Sequence, residues 1–165
     1  MHSVLLTIQN SSFAFWLSQG AYPIILTIHS VGLALLVGLL FVIDLRVLGL
    51  GRGMPVASLR RFMKVVWLGF WANAISGTLL FCISPLKFLD STTFRFKLSF
   101  IFVGLVIAWV LNSSLLKVGD EYAPISNPTV RQRALAALSI ACWVSAIVAG
   151  RLLAYTTFAD IGIGE

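Results

Sequence analysis

The chain has 165 residues, of which 59% are hydrophobic and 11% charged, and its mean hydropathy is +0.96. This composition is typical of a polytopic membrane protein and leaves little room for a soluble domain. The formal net charge is +6, but the basic residues are divided among segments that flank apolar runs, which does not indicate nucleic-acid binding. We therefore predict one domain, residues 1–165, in contact with the lipid bilayer and without a nucleic-acid partner.

The N-terminal 21 residues carry no Lys or Arg. Within them, residues 12–17 are aromatic but too few to span a membrane, and we interpret them as an interfacial segment with Trp16 near the headgroups. Gly20 and Pro23 are predicted to separate this segment from the first long helix. His2 is predicted to lie in a loop.

Four apolar segments are predicted to cross the membrane as helices: 22–48, 58–84, 93–116 and 129–157. The first runs for about 20 residues before its first charge, Asp44, which is the length needed to cross roughly 30 Å of hydrocarbon. Small or polar residues recur every four positions and predict close helix packing. They are Ser30, Ala34 and Gly38 on the first helix and Gly69, Asn73 and Gly77 on the second. We predict an all-α integral membrane four-helix bundle with short loops.

The distribution of basic residues predicts the orientation. The side that joins helices one to two and three to four carries eight: Arg46, Arg52, Arg60, Arg61, Lys64, Lys117, Arg131 and Arg133. The opposite side carries four: Lys87, Arg95, Lys97 and Arg151. The positive-inside rule therefore places both termini outside the cytoplasm.

A first polar level lies toward the cytoplasm. Asp44 is roughly 7 Å and Lys64 roughly 9 Å inside their helices, with Asn112 similarly deep in the third. A carboxylate in hydrocarbon needs a partner, which Lys64 or Arg46 can provide, and we interpret the group as a structural ion pair between the first two helices. The middle of the spans has no ladder of titratable groups, which argues against a pump or antiporter.

A second polar level lies toward the outside. His29 is roughly 10 Å below the start of the first helix and Arg151 roughly 9 Å below the end of the fourth. Lys97 and Arg95 begin the third helix just above this depth. Three further side chains complete the candidate site: Ser76, Trp143 and Tyr155. An Arg at this depth either finds backbone carbonyls, water or the surface, or it binds an anionic or electron-rich ligand.

His29 is either a packing histidine or a cofactor ligand. An imidazole can ligate a b-type haem iron while Arg and Lys meet the propionates, and the same residues can instead bind a quinone carbonyl. One intramembrane histidine cannot supply both axial ligands of a bis-histidine haem. The haem would be five-coordinate, use His2 or a non-histidine ligand, or be shared across a subunit interface.

The sequence resembles a family of small bacterial four-helix membrane proteins of unknown function. The resemblance rests on YPIILTIHSVGLALLVG with DLRVLGL, SGTLLF, FRFKL, and W-x₇-R within the segment ending GRLLAY. It includes His29, Asp44, Arg46, Lys97, Trp143 and Arg151. More distantly, the chain is similar to the membrane part of copper-resistance D proteins, whose helices carry additional histidines. The resemblance implies a bacterial inner membrane and no particular activity.

Three classes of function follow from these observations. The first is a redox-type membrane subunit that binds b-type haem or a quinone and has no catalytic activity of its own. The second is an accessory or structural subunit of a larger membrane complex without a cofactor. The third is a small-solute or metal transporter. In each case we expect a homo-oligomer or a subunit of a membrane complex.

Overall fold

The computed structural model of the protein describes residues 2–50, 56–115 and 128–159, and the side chains in these ranges except 56–61, 115, 154 and 156–159. The described residues form helices and short turns without a strand. In chain order the α-helices are α1 (His2–Gln9), α2 (Ser12–Trp16), α3 (Tyr22–Leu48), α4 (Val56–Ile83), α5 (Pro85–Asp90), α6 (Thr92–Leu115) and α7 (Val130–Ala159). The predicted all-α fold is confirmed, and α3, α4, α6 and α7 begin and end within two residues of the predicted spans.

In the described chain, four helical stretches are long and apolar enough to cross a membrane: Ser12–Leu48, Phe62–Ile83, Thr92–Ser114 and Val130–Leu153. They contain 22 to 37 residues, more than the roughly 20 that a hydrocarbon core requires. At most 28% of the apolar window of each is buried within the protein. The remaining apolar surface requires a hydrocarbon environment, so the protein is a multi-pass membrane protein whose helices contact the bilayer.

The N-terminal segment differs from its prediction. His2 lies in α1 rather than in a loop, and Ser11 caps α2 by accepting a 3.1 Å hydrogen bond from the Ala14 N–H. A π-helical turn, Leu17–Ala21, then joins α2 directly to α3. Because Pro23 cannot donate a backbone hydrogen bond to the preceding turn, the wider π turn accommodates it without breaking the helix. The predicted separation at Gly20 and Pro23 is therefore wrong.

Two helix starts depend on local chemistry. Residues 85–90, predicted as part of a connection, form the short helix α5, and Pro85 occupies its first position, where a missing N–H costs no helical bond. At the start of α7, the Thr129 N–H donates to Gln132 Oε1 at 2.8 Å and the Gln132 N–H donates to Thr129 Oγ1 at 3.3 Å. This reciprocal capping box starts the helix at Val130, one residue after the predicted start at residue 129. The preceding polar loop of residues 117–127 lies outside the described residues.

The chain divides into two compact units. The first consists of Met1–Leu39 and Phe62–Asp90, and the second of Leu40–Arg61 and Ser91–Glu165. In the first unit, Leu17, Ala21 and Ile25 form a buried row that packs against the end of α4. In the second unit, α6 and α7 pack along each other. Each unit contains its own set of polar residues within membrane-spanning helices.

Candidate functional site

The first unit contains a close crossing of α3 and α4. A Cβ atom built on Gly32 would lie 2.9 Å from the Asn73 backbone nitrogen, and one on Gly69 would lie 2.8 Å from the Leu36 nitrogen. The two backbones therefore touch, which only glycine at these positions allows. The predicted packing face of α4, with Gly69, Asn73 and Gly77, is confirmed.

The predicted packing face of α3 is wrong. Ser30, Ala34 and Gly38 are exposed, and nothing lies within 4 Å of a Cβ built on Gly38. Instead, α3 contacts α4 through His29 and Gly32, which are three residues apart on a different face of α3. The small residues predicted to pack thus lie on a surface that the first unit leaves uncovered.

His29 of α3 lies against α4, one turn from the glycine crossing. Its Nδ1 is 3.2 Å from the Asn73 carbonyl oxygen and 3.1 Å from Ser76 Oγ. In return, Asn73 Nδ2 donates a 2.9 Å hydrogen bond to the His29 carbonyl. A Cβ on Gly77 would lie 3.1 Å from His29 Cε1, so the ring rests directly against the helix backbone. The structure therefore brings together His29 and Ser76 as the sequence predicts and adds Asn73 to them.

These partners determine where the imidazole proton lies. The Asn73 carbonyl can only accept a hydrogen bond, and the Ser76 hydroxyl donates its own proton to the Ala72 carbonyl at 2.6 Å. His29 Nδ1 must therefore be the donor to both groups. In the neutral ring this leaves the lone pair on Nε2. A histidine that ligates a metal through Nε2 commonly donates its other N–H to a carbonyl in this way.

The basic residues of the outer level lie in the second unit, on α6 and α7. Arg95, Arg151 and Tyr155 are exposed, whereas Lys97 is half-buried. The Lys97 Nζ and Cε atoms each lie 3.6 Å from the position of a Cβ on Gly150, so its side chain lies along α7. Gly150 was not identified from the sequence, although it directly precedes Arg151.

Trp143 is completely buried in the second unit. A Cβ on Gly104 of α6 would lie 3.0 Å from Trp143 Cε2 and 3.1 Å from Nε1, so the indole fills the space that this glycine leaves. Its Nε1 has no hydrogen-bond partner among the described residues. The structure gives this side chain a packing position, and its predicted contact with a cofactor stays a prediction.

The residues predicted for the cytoplasmic level are in different environments. Asp44 and Arg46 are 2% and 3% exposed in the second unit, and Asn112 is half-buried there. Lys64 belongs to the first unit and is exposed. The pairing of Asp44 with Lys64 stays a prediction.

Ser139 on α7 was not identified from the sequence. It is fully buried and faces the Asp44 carboxyl. Even so, Ser139 Oγ and Asp44 Oδ2 have no hydrogen-bond partner of ordinary geometry in the described part of the chain. The signal available from the sequence was the spacing of Ser139 and Trp143, four residues apart on one helix face.

The candidate sites contain few metal ligands. The described residues include no group of three or more His, Cys, Asp or Glu side chains that could hold a metal ion. Comparisons with family models, curated proteins and solved structures find no match for this chain. A functional assignment therefore depends on the geometry of the sites themselves.

Proposed function

We propose that this multi-pass membrane protein is a redox-type subunit that binds a quinone, or alternatively a b-type haem, at His29. The observation that supports this proposal is the hydrogen bonding of His29 Nδ1 to the Asn73 carbonyl and to Ser76 Oγ, at 3.2 and 3.1 Å. These bonds orient the ring and direct its lone pair to Nε2. Such an Nε2 can accept a hydrogen bond from a quinol hydroxyl or ligate iron.

The close crossing of α3 and α4 favours the smaller group. Gly32 lies one turn from His29, and a Cβ there would be 3.0 Å from the Gly69 carbonyl oxygen. No planar macrocycle fits between backbones at this separation. A haem would need space for its whole macrocycle beside the half-buried His29, whereas the single ring of a quinone needs less. A bound quinone would supply reversible two-electron, two-proton chemistry.

The surroundings also limit the haem alternative. His2 lies in α1 of the first unit and is exposed. Among the described residues, no cluster of three or more ligating side chains surrounds His29. A haem here would be five-coordinate or would take its second ligand from His2 or from another subunit.

Protein purified in mild detergent tests both alternatives. For a quinone, we expect a colourless protein from which organic solvent extracts quinone, with the amount per protein reduced in His29→Ala. For a haem, the wild type has a Soret band that His29→Ala removes, and His2→Ala distinguishes His2 from other second ligands. The matched control is Thr27→Val, which removes an exposed hydroxyl from the same helix without touching the imidazole.

The result that overturns the proposal is equally direct. A wild type without colour or extractable quinone, whose assembly is unchanged in His29→Ala, means that His29 is a packing histidine. The redox-type function is then excluded, and a solute-uptake assay distinguishes a transporter from an accessory subunit. The decisive measurement is quinone content per protein, because it separates a binding defect from a loss of folded protein.

We also propose that the protein lies in a bacterial inner membrane with both termini in the periplasm. The support is the division of basic residues, eight on one side and four on the other. Reporter fusions after Gly53 and after Glu165 should report opposite sides of the membrane, with Glu165 periplasmic. A cytoplasmic report after Glu165 means that the orientation is inverted or that the number of spans is odd.

A further inference from the structure

The second unit contains a pair of cations at the end of the α6–α7 contact where α6 begins. The aliphatic part of Lys97 lies on Gly150, with Cδ 3.8 Å and Nζ 3.6 Å from a Cβ position on that glycine. Arg151 is the next residue on α7, and it is exposed. Because the Lys97 ammonium lies against Gly150, it is level with the backbone of the adjacent Arg151.

These cations have no internal counter-ion on their own helices. Neither α6 nor α7, residues 92–115 and 130–159, contains an Asp or Glu. Among the described residues of this unit, the carboxylate is that of Asp44, which faces Ser139. Ser139 is eleven residues before Gly150, or roughly 16 Å along α7. Neither Lys97 nor Arg151 forms an ion pair with a described residue.

The position of the pair determines the kind of anion that can reach it. Both residues belong to stretches able to span the membrane, Thr92–Ser114 and Val130–Leu153, close to one end of each. Tyr155, one turn beyond Arg151, is 71% exposed, as expected for an aromatic side chain at the headgroup level. An anion at this depth approaches from the bilayer, where the phosphates of the lipids lie.

The two side chains have complementary chemistry toward a phosphate. The Lys97 ammonium is a compact point charge with three donors, and the Arg151 guanidinium can bind two phosphate oxygens in parallel. Two cations whose own helices carry no Asp or Glu also disfavour the positive choline or ethanolamine of a zwitterionic lipid. We propose that Lys97 and Arg151 bind the phosphate of an anionic phospholipid at this end of the α6–α7 pair.

Native mass spectrometry of the full chain in neutral detergent tests this site. Phosphatidylglycerol is titrated against phosphatidylcholine, and the dissociation constant of the first bound lipid is measured. We expect tighter binding of phosphatidylglycerol, weakened about fivefold in Lys97→Met and in Arg151→Leu. Inorganic phosphate, tested in parallel by its ability to displace the lipid, should displace little, because it lacks acyl chains.

A double-mutant cycle decides whether one lipid contacts both residues. If both hold the same phosphate, the second substitution costs much less than about fivefold once the first is present. The matched control is Arg131→Leu, an exposed Arg at the other end of α7, which should leave this affinity unchanged. Equal affinities for the two lipids, fully additive losses, or an equal loss in Arg131→Leu would each overturn the proposal. Full displacement by inorganic phosphate would identify a soluble anion as the ligand and overturn the lipid assignment.

Discussion

The α3–α4 contact of the first unit and the α6–α7 contact of the second both contain polar groups in apolar helices. The two contacts differ in whether these groups form hydrogen bonds. Around His29, the imidazole, the Asn73 amide and the Ser76 hydroxyl all form hydrogen bonds across the helix pair or to backbone. Around Trp143, the indole Nε1 and the Ser139 hydroxyl are buried without a partner among the described residues. The first contact is held by hydrogen bonds and close backbones, the second by the volume of its side chains.

Glycine explains the difference. Gly32 and Gly69 bring two backbones together, so the backbone and side-chain acceptors of one helix come within reach of the donors of the other. Gly104 instead leaves a recess that the Trp143 ring fills. The same residue type thus brings two backbones together in one contact and makes room for a large side chain in the other.

Removal of the Trp143 side chain should have the largest effect. Trp143→Ala leaves a cavity where the indole is fully buried, and we expect a loss at the lower end of about 3–5 kcal/mol in unfolding free energy. The lower end applies because lipid solvates an exposed tryptophan almost as well as the protein interior does. Reversible unfolding in mixed detergent micelles measures this loss.

The control for this prediction is on the neighbouring helix. Trp109 of α6 is 69% exposed, so Trp109→Ala should change stability by less than about 1 kcal/mol. Similar losses for the two tryptophans would contradict the description of the second contact as one held by a buried ring. Packing in that unit would then depend on other residues.

Substitution of the crossing glycine should have the next largest effect. A methyl group on Gly69 would meet the Leu36 nitrogen at 2.8 Å and the Gly32 oxygen at 2.9 Å, so the helices must move apart. We expect Gly69→Ala to cost about 1–3 kcal/mol and to reduce ligand retention at His29, because Asn73 moves with α4. Unfolding free energy and quinone content of the same preparation measure the two effects.

Gly38→Ala is the matched control, because nothing lies within 4 Å of its new methyl group. This change should be neutral or stabilising by up to about 1 kcal/mol, since alanine favours the helix over glycine. Destabilisation by Gly38→Ala as large as that by Gly69→Ala would mean that α3 packs through its Ser30–Ala34–Gly38 surface, as the sequence predicts. The close crossing described for the first unit would then be incorrect.

The sequence predicted the long helices well because their signal is length. Uninterrupted apolar runs of about 20 residues have few alternatives to a membrane helix, and α3 was predicted from Tyr22 to Leu48 as it is found. The direct continuation of α2 into α3 was missed because Gly20 and Pro23 usually end a helix. A π turn that tolerates both leaves no separate signal in the residues.

The face of α3 could not be predicted because the helix is apolar on all sides. Without a polar side to face away from the contact, periodicity does not indicate how the helix is rotated about its axis. Small residues also occur on both faces, Ser30 on the exposed one and Gly32 on the one that makes the contact. His29 was identified because it is the one titratable group in its run. Ser139 was missed because a serine in an apolar helix usually bonds to its own backbone, and its spacing from Trp143 alone does not indicate a buried polar contact.

Two serines give the smallest effects and the sharpest contrast between the contacts. Ser76 Oγ donates to the Ala72 carbonyl at 2.6 Å and accepts from His29 Nδ1 at 3.1 Å, so Ser76→Ala should cost about 0.6 kcal/mol. Ser139 Oγ is buried without a partner in the described chain, so Ser139→Ala should be neutral or stabilising, by up to about 1 kcal/mol. Unfolding in mixed micelles measures both. A loss in Ser139→Ala equal to that in Ser76→Ala would show that the Ser139 hydroxyl bonds to Asp44, and that hydrogen bonds hold the second contact as they hold the first.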